Sequence, residues 1–172
     1  TKYDGRILQA FKDEYWAYHL GKTKSGKMHR GSISIEICSA GRLTKKDGKY
    51  YTWYNSEVHP DQVCTLESPY KGQLFFHKYS AKQIESLKAL LILLSEKHGI
   101  DLQVGLLADL KRKVNTGNPT PNLVQVGLNQ AFEFNELACQ GKVEGLLTHG
   151  QVRADKDDVQ PQRELVNMLL TL

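Results

Sequence analysis

The chain has 172 residues, of which 24% are charged and 40% hydrophobic, and a net charge of +4 at neutral pH. This suits one domain with its own core and excludes a disordered polyelectrolyte. The longest apolar run, near residues 90–94, is too short to span a bilayer, and no signal peptide is visible.

The elements follow in order. Asp4-Gly5 is a hairpin dipeptide, and residues 6–11 alternate behind it with Ile7 and Phe11 on one face. Lys12-Asp13-Glu14 is a polar break before the aromatic cluster Trp16, Tyr18 and His19. Residues 22–30 form a basic loop. Residues 32–40 (SISIEICSA) are the strongest strand candidate: Ile33, Ile35 and Ile37 face one way, and Ser34, Glu36 and Cys38 the other. Residues 45–48 (KKDG) are a turn and 49–54 an aromatic-rich strand. Residues 55–72 read as irregular, with Pro60 and Pro69 as breakers.

Ser80 to Gln83 matches a capping box, followed by a helix to about Lys97 with Ile84, Leu87, Leu91 and Leu94 at helical spacing and Gly99 as its stop. Residues 101–110 fit either strand or helix, 111–121 a basic Pro- and Gly-containing loop, and 131–141 a short helix or loop. Residues 145–152 (GLLTHGQV) read as a buried strand running into a loop, and 161–172 as a closing helix with Leu165, Met168 and Leu169 inward. The order of strands and helices predicts an α/β domain with a mixed central β-sheet flanked by helices.

Cys38, Cys64 and Cys139 are odd in number and form no CxxC, so a disulfide framework is not expected. The basic excess suits polyanionic surroundings or is a few surplus surface lysines. Two short basic clusters (Lys22, Lys24, Lys27 and Arg30; Lys111, Arg112 and Lys113) lack interleaved stacking aromatics, so no nucleic-acid role is expected.

Three constellations could carry chemistry. Glu36, between isoleucines, is a general-base candidate if the sheet desolvates it, or an ordinary polar-face residue. The stretch THGQVRADKDDVQP offers His149 and Asp158 as nitrogen and oxygen ligands for zinc, with Lys156 beside them to stabilise an oxyanion; alone, it also reads as a charged surface loop. Trp16, Tyr18 and His19 could line a sugar-binding groove or form a half-buried aromatic corner.

In this order, four stretches resemble the type 2 N-acetylmuramoyl-L-alanine amidase family, related to peptidoglycan-recognition proteins and closest to phage-type lytic amidases. They are DGRILQAF at residues 4–11, WAYHLG at 16–21, SISIE at 32–36, and His149 followed by Lys156 and Asp158. The resemblance spans most of the chain, with a long insert around residues 42–79. It implies zinc-dependent hydrolysis of the amide between N-acetylmuramic acid and L-alanine, made in the cytoplasm and acting at the bacterial cell wall. The ligand is peptidoglycan or muropeptide, with no membrane partner. His149 matches one zinc histidine, Asp158 the carboxylate ligand, Lys156 the lysine of the closing motif and Glu36 the general base. Trp16, Tyr18 and His19 match the turn bordering the substrate groove.

Two departures are visible. The family's first zinc histidine lies on a strand ahead of the DG hairpin, and nothing here matches it. Three readings follow: a single domain over 1–172 that is N-terminally incomplete, as a fragment or processed product; a domain that takes the missing strand from another chain; or one that has lost its metal and binds wall fragments without cutting them. If this chain holds one zinc tightly, His19 and then His29 are the candidates for the third ligand. Ser34 stands where the family has glycine, and Val159-Gln160 where it often has Pro-Gly. A non-catalytic peptidoglycan-binding module of the same fold is the alternative.

Overall fold

The computed structural model of the chain describes residues 3–12, 14–21, 26–114 and 121–172. Lys22 and Lys24 of the first basic cluster, and residues 115–120 of the second basic loop, lie outside these. Among the described residues the protein is mixed α/β, with two small antiparallel sheets and helices packed on them. The expected larger mixed sheet is replaced by β1 (Thr44–Lys46), β2 (Lys49–Tyr51) and β3 (Glu57–Val58) in one sheet, and β4 (Val63–Tyr70) with β5 (Gln73–His77) in the other.

The predicted Asp4-Gly5 hairpin does not form, and the strand predicted over 49–54 ends at Tyr51, but the turn at residues 45–48 behaves as the sequence predicts. Asp47 and Gly48 take φ of 50° and 77° between β1 and β2, the left-handed pair that a two-residue hairpin requires. The β4–β5 hairpin is a correction, because residues 55–72 were expected to be irregular. Pro60 opens a single 3-10 turn (Pro60–Gln62) capped by the His59 side chain. Pro69 is exposed on β4 within a register irregularity between Thr65 and Tyr70. Such an offset is where a residue without an N–H is tolerated. Asn129 Nδ2 donates to the Ser68 and Pro69 carbonyls at 3.2 and 3.0 Å, satisfying backbone acceptors there.

Helix α2 (Ala81–His98) forms as its signals dictate. The capping box is complete: Ser80 Oγ accepts from Gln83 N at 3.1 Å, and Gln83 Oε1 accepts from Ser80 N at 3.0 Å. Gly99 is the left-handed C-cap. Ile84, Leu87 and Leu91 are buried, each contributing about 1.5–3 kcal/mol in removed apolar surface. The core they join receives Leu66, Tyr70 and Phe76 from the hairpin, Leu106 and Leu110 from α3 (Leu106–Val114), and Leu128 from α4 (Pro121–Ala131). The predicted short helix or loop of residues 131–141 holds α5 (Glu136–Cys139), and Leu165, Val166 and Leu169 come from α7 (Arg163–Leu169), confirming the closing helix.

Two buried glutamines ahead of α7 bind it to the connection between β5 and α2. Gln162 accepts from Tyr79 N at 2.7 Å and donates to Tyr79 O at 3.0 Å, pairing with the backbone as a neighbouring strand would. Gln160 accepts from the Tyr79 hydroxyl at 2.5 Å and donates to the His77 carbonyl.

The N-terminal third differs from its prediction. Residues 6–10 and 32–40 form neither strand nor helix and carry no ladder. Ile7, Leu8 and Phe11 are 46%, 71% and 62% exposed. Alternation survives in 32–40, where Ile35 and Ile37 lean on the core and Glu36 and Cys38 face out, yet Ile33 is exposed. Side chains stitch this stretch to the body: Ser80 Oγ donates to Tyr3 O at 2.6 Å, Gln83 Nε2 to Cys38 O at 2.8 Å, and Arg153 to Leu20 O at 3.2 Å. The described part of the basic loop contains the short helix α1 (Lys27–Arg30).

Candidate functional site

Residues 145–152 are a correction that matters for the site. Leu146 makes only an isolated parallel bridge to Gly105, and the chain then turns into α6 (His149–Val152). Thr148 caps that turn, accepting from Gln151 N, while Gln151 Oε1 accepts from Thr148 N. The T-x-x-Q spacing is a capping-box signature that the apolar run before it masked. His149 is thereby placed at the first helical position, and residues 153–158 return beside it.

The return is close. Gly150 N donates to Asp158 O at 2.9 Å. A Cβ on Gly150 would lie 3.0 Å from the Tyr70 hydroxyl and 3.2 Å from the Lys156 carbonyl, so hydrogen alone fits comfortably. Lys71, on the β4–β5 turn, donates to the Lys156 carbonyl, and Arg42 pairs with Asp157.

This packing sets His149 Nδ1 3.1 Å from Asp158 Oδ2. The hydrogen bond from His149 is the main reason the Asp158 carboxyl is held below its ordinary range; burial opposes it, and the Lys156 charge assists. Lys156 thus acts on Asp158 through its field. Glu36 is exposed, and its charge and that of Asp158 both raise the buried Tyr79 phenol, although burial is the larger cause.

The aromatic candidates form one cluster. Trp16 and Tyr18 meet edge to face with centroids 5.0 Å apart, Tyr18 meets His29 at 5.1 Å, and His29 meets His19 at 5.6 Å. The Arg30 guanidinium lies 5.0 Å from the Trp16 ring centre. His19 Nδ1 donates to Ala17 O at 2.8 Å, and its Nε2 lies 3.0 Å from Ser32 Oγ. Trp16 and Tyr18 remain exposed, which suits a face open to a ligand.

The residues can be tested for fit to zinc. Bonds of about 2.0–2.2 Å at a tetrahedral ion set neighbouring ligand atoms roughly 3.3 Å apart, close to the observed His149–Asp158 spacing. Nε2 of His149 is buried without a hydrogen-bond partner among the described residues, so this imidazole is only half satisfied. On spacing alone the pair could take two positions of a zinc site, with Nδ1 as the ligand nitrogen in place of its hydrogen bond to Asp158. Among the described residues no third His, Cys, Asp or Glu completes a metal-holding group with it. His19 and His29 belong instead to the aromatic cluster.

Sequence reasoning did not single out Arg153. Its guanidinium holds Asp155 through two nitrogens and reaches Leu20 O with a third, joining the aromatic turn to the site loop. Its place inside the charged stretch was the available signal. Arg42 and Lys71, from the insert, carried none.

No protein-family model, curated protein or solved structure matches this chain. No helix among the described residues is long and apolar enough to cross a membrane.

Proposed function

We propose that the chain is a zinc-dependent N-acetylmuramoyl-L-alanine amidase domain acting on peptidoglycan or its muropeptides, with a fold of the amidase and peptidoglycan-recognition kind. The observation that carries this reading is the 3.1 Å approach of His149 Nδ1 to Asp158 Oδ2, made by residues nine apart on a loop that also holds Lys156. The sequence resemblance and the adjacent aromatic face support it.

Zinc held by His149 and Asp158, with a further ligand, would supply an acidified water and polarise the lactyl carbonyl. Glu36 takes the proton of the attacking water and returns it to the alanine nitrogen as that nitrogen leaves. The Lys156 ammonium faces the negative charge that develops on the carbonyl oxygen. Trp16 and Tyr18 offer ring faces to the sugar, and the His19 imidazole borders them.

Two measurements test the reading. Metal analysis of the purified chain after zinc loading should find zinc, reduced in His149→Ala and Asp158→Ala. Release of free amine from muropeptide should be abolished by a chelator and restored by zinc. Lys156→Ala should slow release about 100- to 1000-fold while leaving the melting temperature unchanged. Muropeptide binding without any amine release would replace this reading with the non-catalytic wall-binding module.

A further inference from the structure

The turn between β2 and β3 carries the most exposed large hydrophobic side chain among the described residues: Trp53 is 82% exposed, and Tyr54 beside it 55%. We infer that this turn attaches the protein to the surface of an anionic phospholipid bilayer, at the level of the headgroups. The inference goes beyond the amidase reading and does not rest on it. Attachment of this kind needs no spanning helix.

The turn holds both rings outward. Thr52 is buried and anchors it: its N–H donates to Ser56 O at 2.9 Å, its carbonyl accepts from Asn55 N at 3.0 Å, and its hydroxyl accepts from Ser56 N at 3.1 Å. Asn55 takes φ of 61°, a left-handed conformation that asparagine tolerates better than most residues. Trp53 and Tyr54 thus occupy the two central positions of a closed turn, and residues 53–57 are all exposed. Adjacent large aromatics fixed in water by their own backbone mark a surface that meets a partner.

Composition and geometry select the partner. Residues 44–57 (TKKDGKYYTWYNSE) contain Trp53, three tyrosines and three lysines, and no aliphatic residue. Rings with a polar edge, and lysines with long apolar stems, settle where headgroups meet acyl chains; aliphatic side chains would be needed to go deeper. Lys49 is held by Glu57 at 2.9 Å. Lys45 and Lys46 are exposed, and neither is taken by a carboxylate among the described residues, so their ammonium groups are available to lipid phosphates. The Trp53 and Tyr54 rings lie 5.1 Å apart at 89° to one another. Successive bases or sugar rings stack on faces that share a plane, which rings at right angles do not offer. A soft interface imposes no such requirement.

The test uses the full chain and vesicles of phosphatidylglycerol and phosphatidylcholine in equal parts. The unmodified chain should co-sediment with them, less so as salt is added, and more weakly with vesicles of phosphatidylcholine alone. Trp53→Ala should weaken binding roughly tenfold or more, and Lys45→Gln or Lys46→Gln roughly fivefold each. Trp16 and Trp53 are the two tryptophans, so Trp16→Phe leaves Trp53 as the sole indole emitter. Its emission should shift to the blue on the mixed vesicles and be quenched more by bromine placed high on the acyl chain than near its end. The salt and lipid dependence need no substitution, so a misfolded variant cannot obscure the answer. Absence of binding to the mixed vesicles, binding unchanged by Trp53→Ala, or Trp53 emission that bromine does not quench would overturn the inference. So would a Trp53 response to single-stranded oligonucleotide or to soluble glycan chains with none to vesicles. Amine release from muropeptide is measured separately, and neither result decides the other.

Discussion

The hairpin-and-helix body from β4 to α2, and the first forty residues, use the same apolar alternation with opposite results. In β4, Leu66, Ser68 and Tyr70 turn inward, and β5 supplies the ladder. In residues 32–40 the pattern is as regular, and in 6–11 less so, but neither segment joins a ladder and they expose Ile7, Leu8, Phe11 and Ile33. Alternation determines which side chains could share a face. A strand also needs a neighbour to take its backbone hydrogen bonds.

The largest expected effect sharpens that contrast. Leu110→Ala, at a fully buried position, should destabilise by about 2–5 kcal/mol in urea unfolding, whereas Phe11→Ala should stay within about 0.5 kcal/mol. Equal losses would mean that the N-terminal stretch is packed as tightly as the core. Next, Gln162→Ala strips partners from both backbone groups of buried Tyr79 and should destabilise by about 1–3 kcal/mol or more; a neutral result would show that Tyr79 re-pairs readily. The smallest effect is chemical and leaves the fold intact. Cys38 is exposed on the N-terminal stretch, whereas burial pushes the Cys64 thiol on β4 up to about 11. A raised thiol pKa means less thiolate: at pH 8 about 0.1% of Cys64 would be reactive, roughly 100-fold below an ordinary thiol. Thiol titration should therefore find Cys38 fast and Cys64 slow until denaturant is added. Comparable rates would place β4 in solvent.

Local signals were legible where each was self-contained. The Ser80–Gln83 box, the helical spacing behind it and Gly99 define α2 without tertiary help. Asp47-Gly48 does the same for the first hairpin, and Leu165, Met168 and Leu169 for α7. Elements whose stability comes from elsewhere were not legible. Pro69 argued against β4 because the relief supplied by Asn129, sixty residues away, has no local trace. Helix α4 was missed behind a Pro- and Gly-rich stretch. Thr148 and Gln151 were overlooked because Gly145-Leu146-Leu147 before them reads as strand. Of the candidate site, the residue types were visible but their meeting was not. That His149 and Asp158 touch goes with the close return of residues 156–158 past Gly150, which has no local trace in the sequence.

The capping box at Ser80 and Gln83 has a consequence reaching beyond its helix. Each side chain closes the first turn of α2 with one atom and grips a carbonyl of the N-terminal stretch, at Tyr3 or Cys38, with another hydrogen-bonding capacity. Fraying at that end of the helix would loosen two distant anchor points together. Winding of the helix and seating of the chain's opening segment are thus halves of one event.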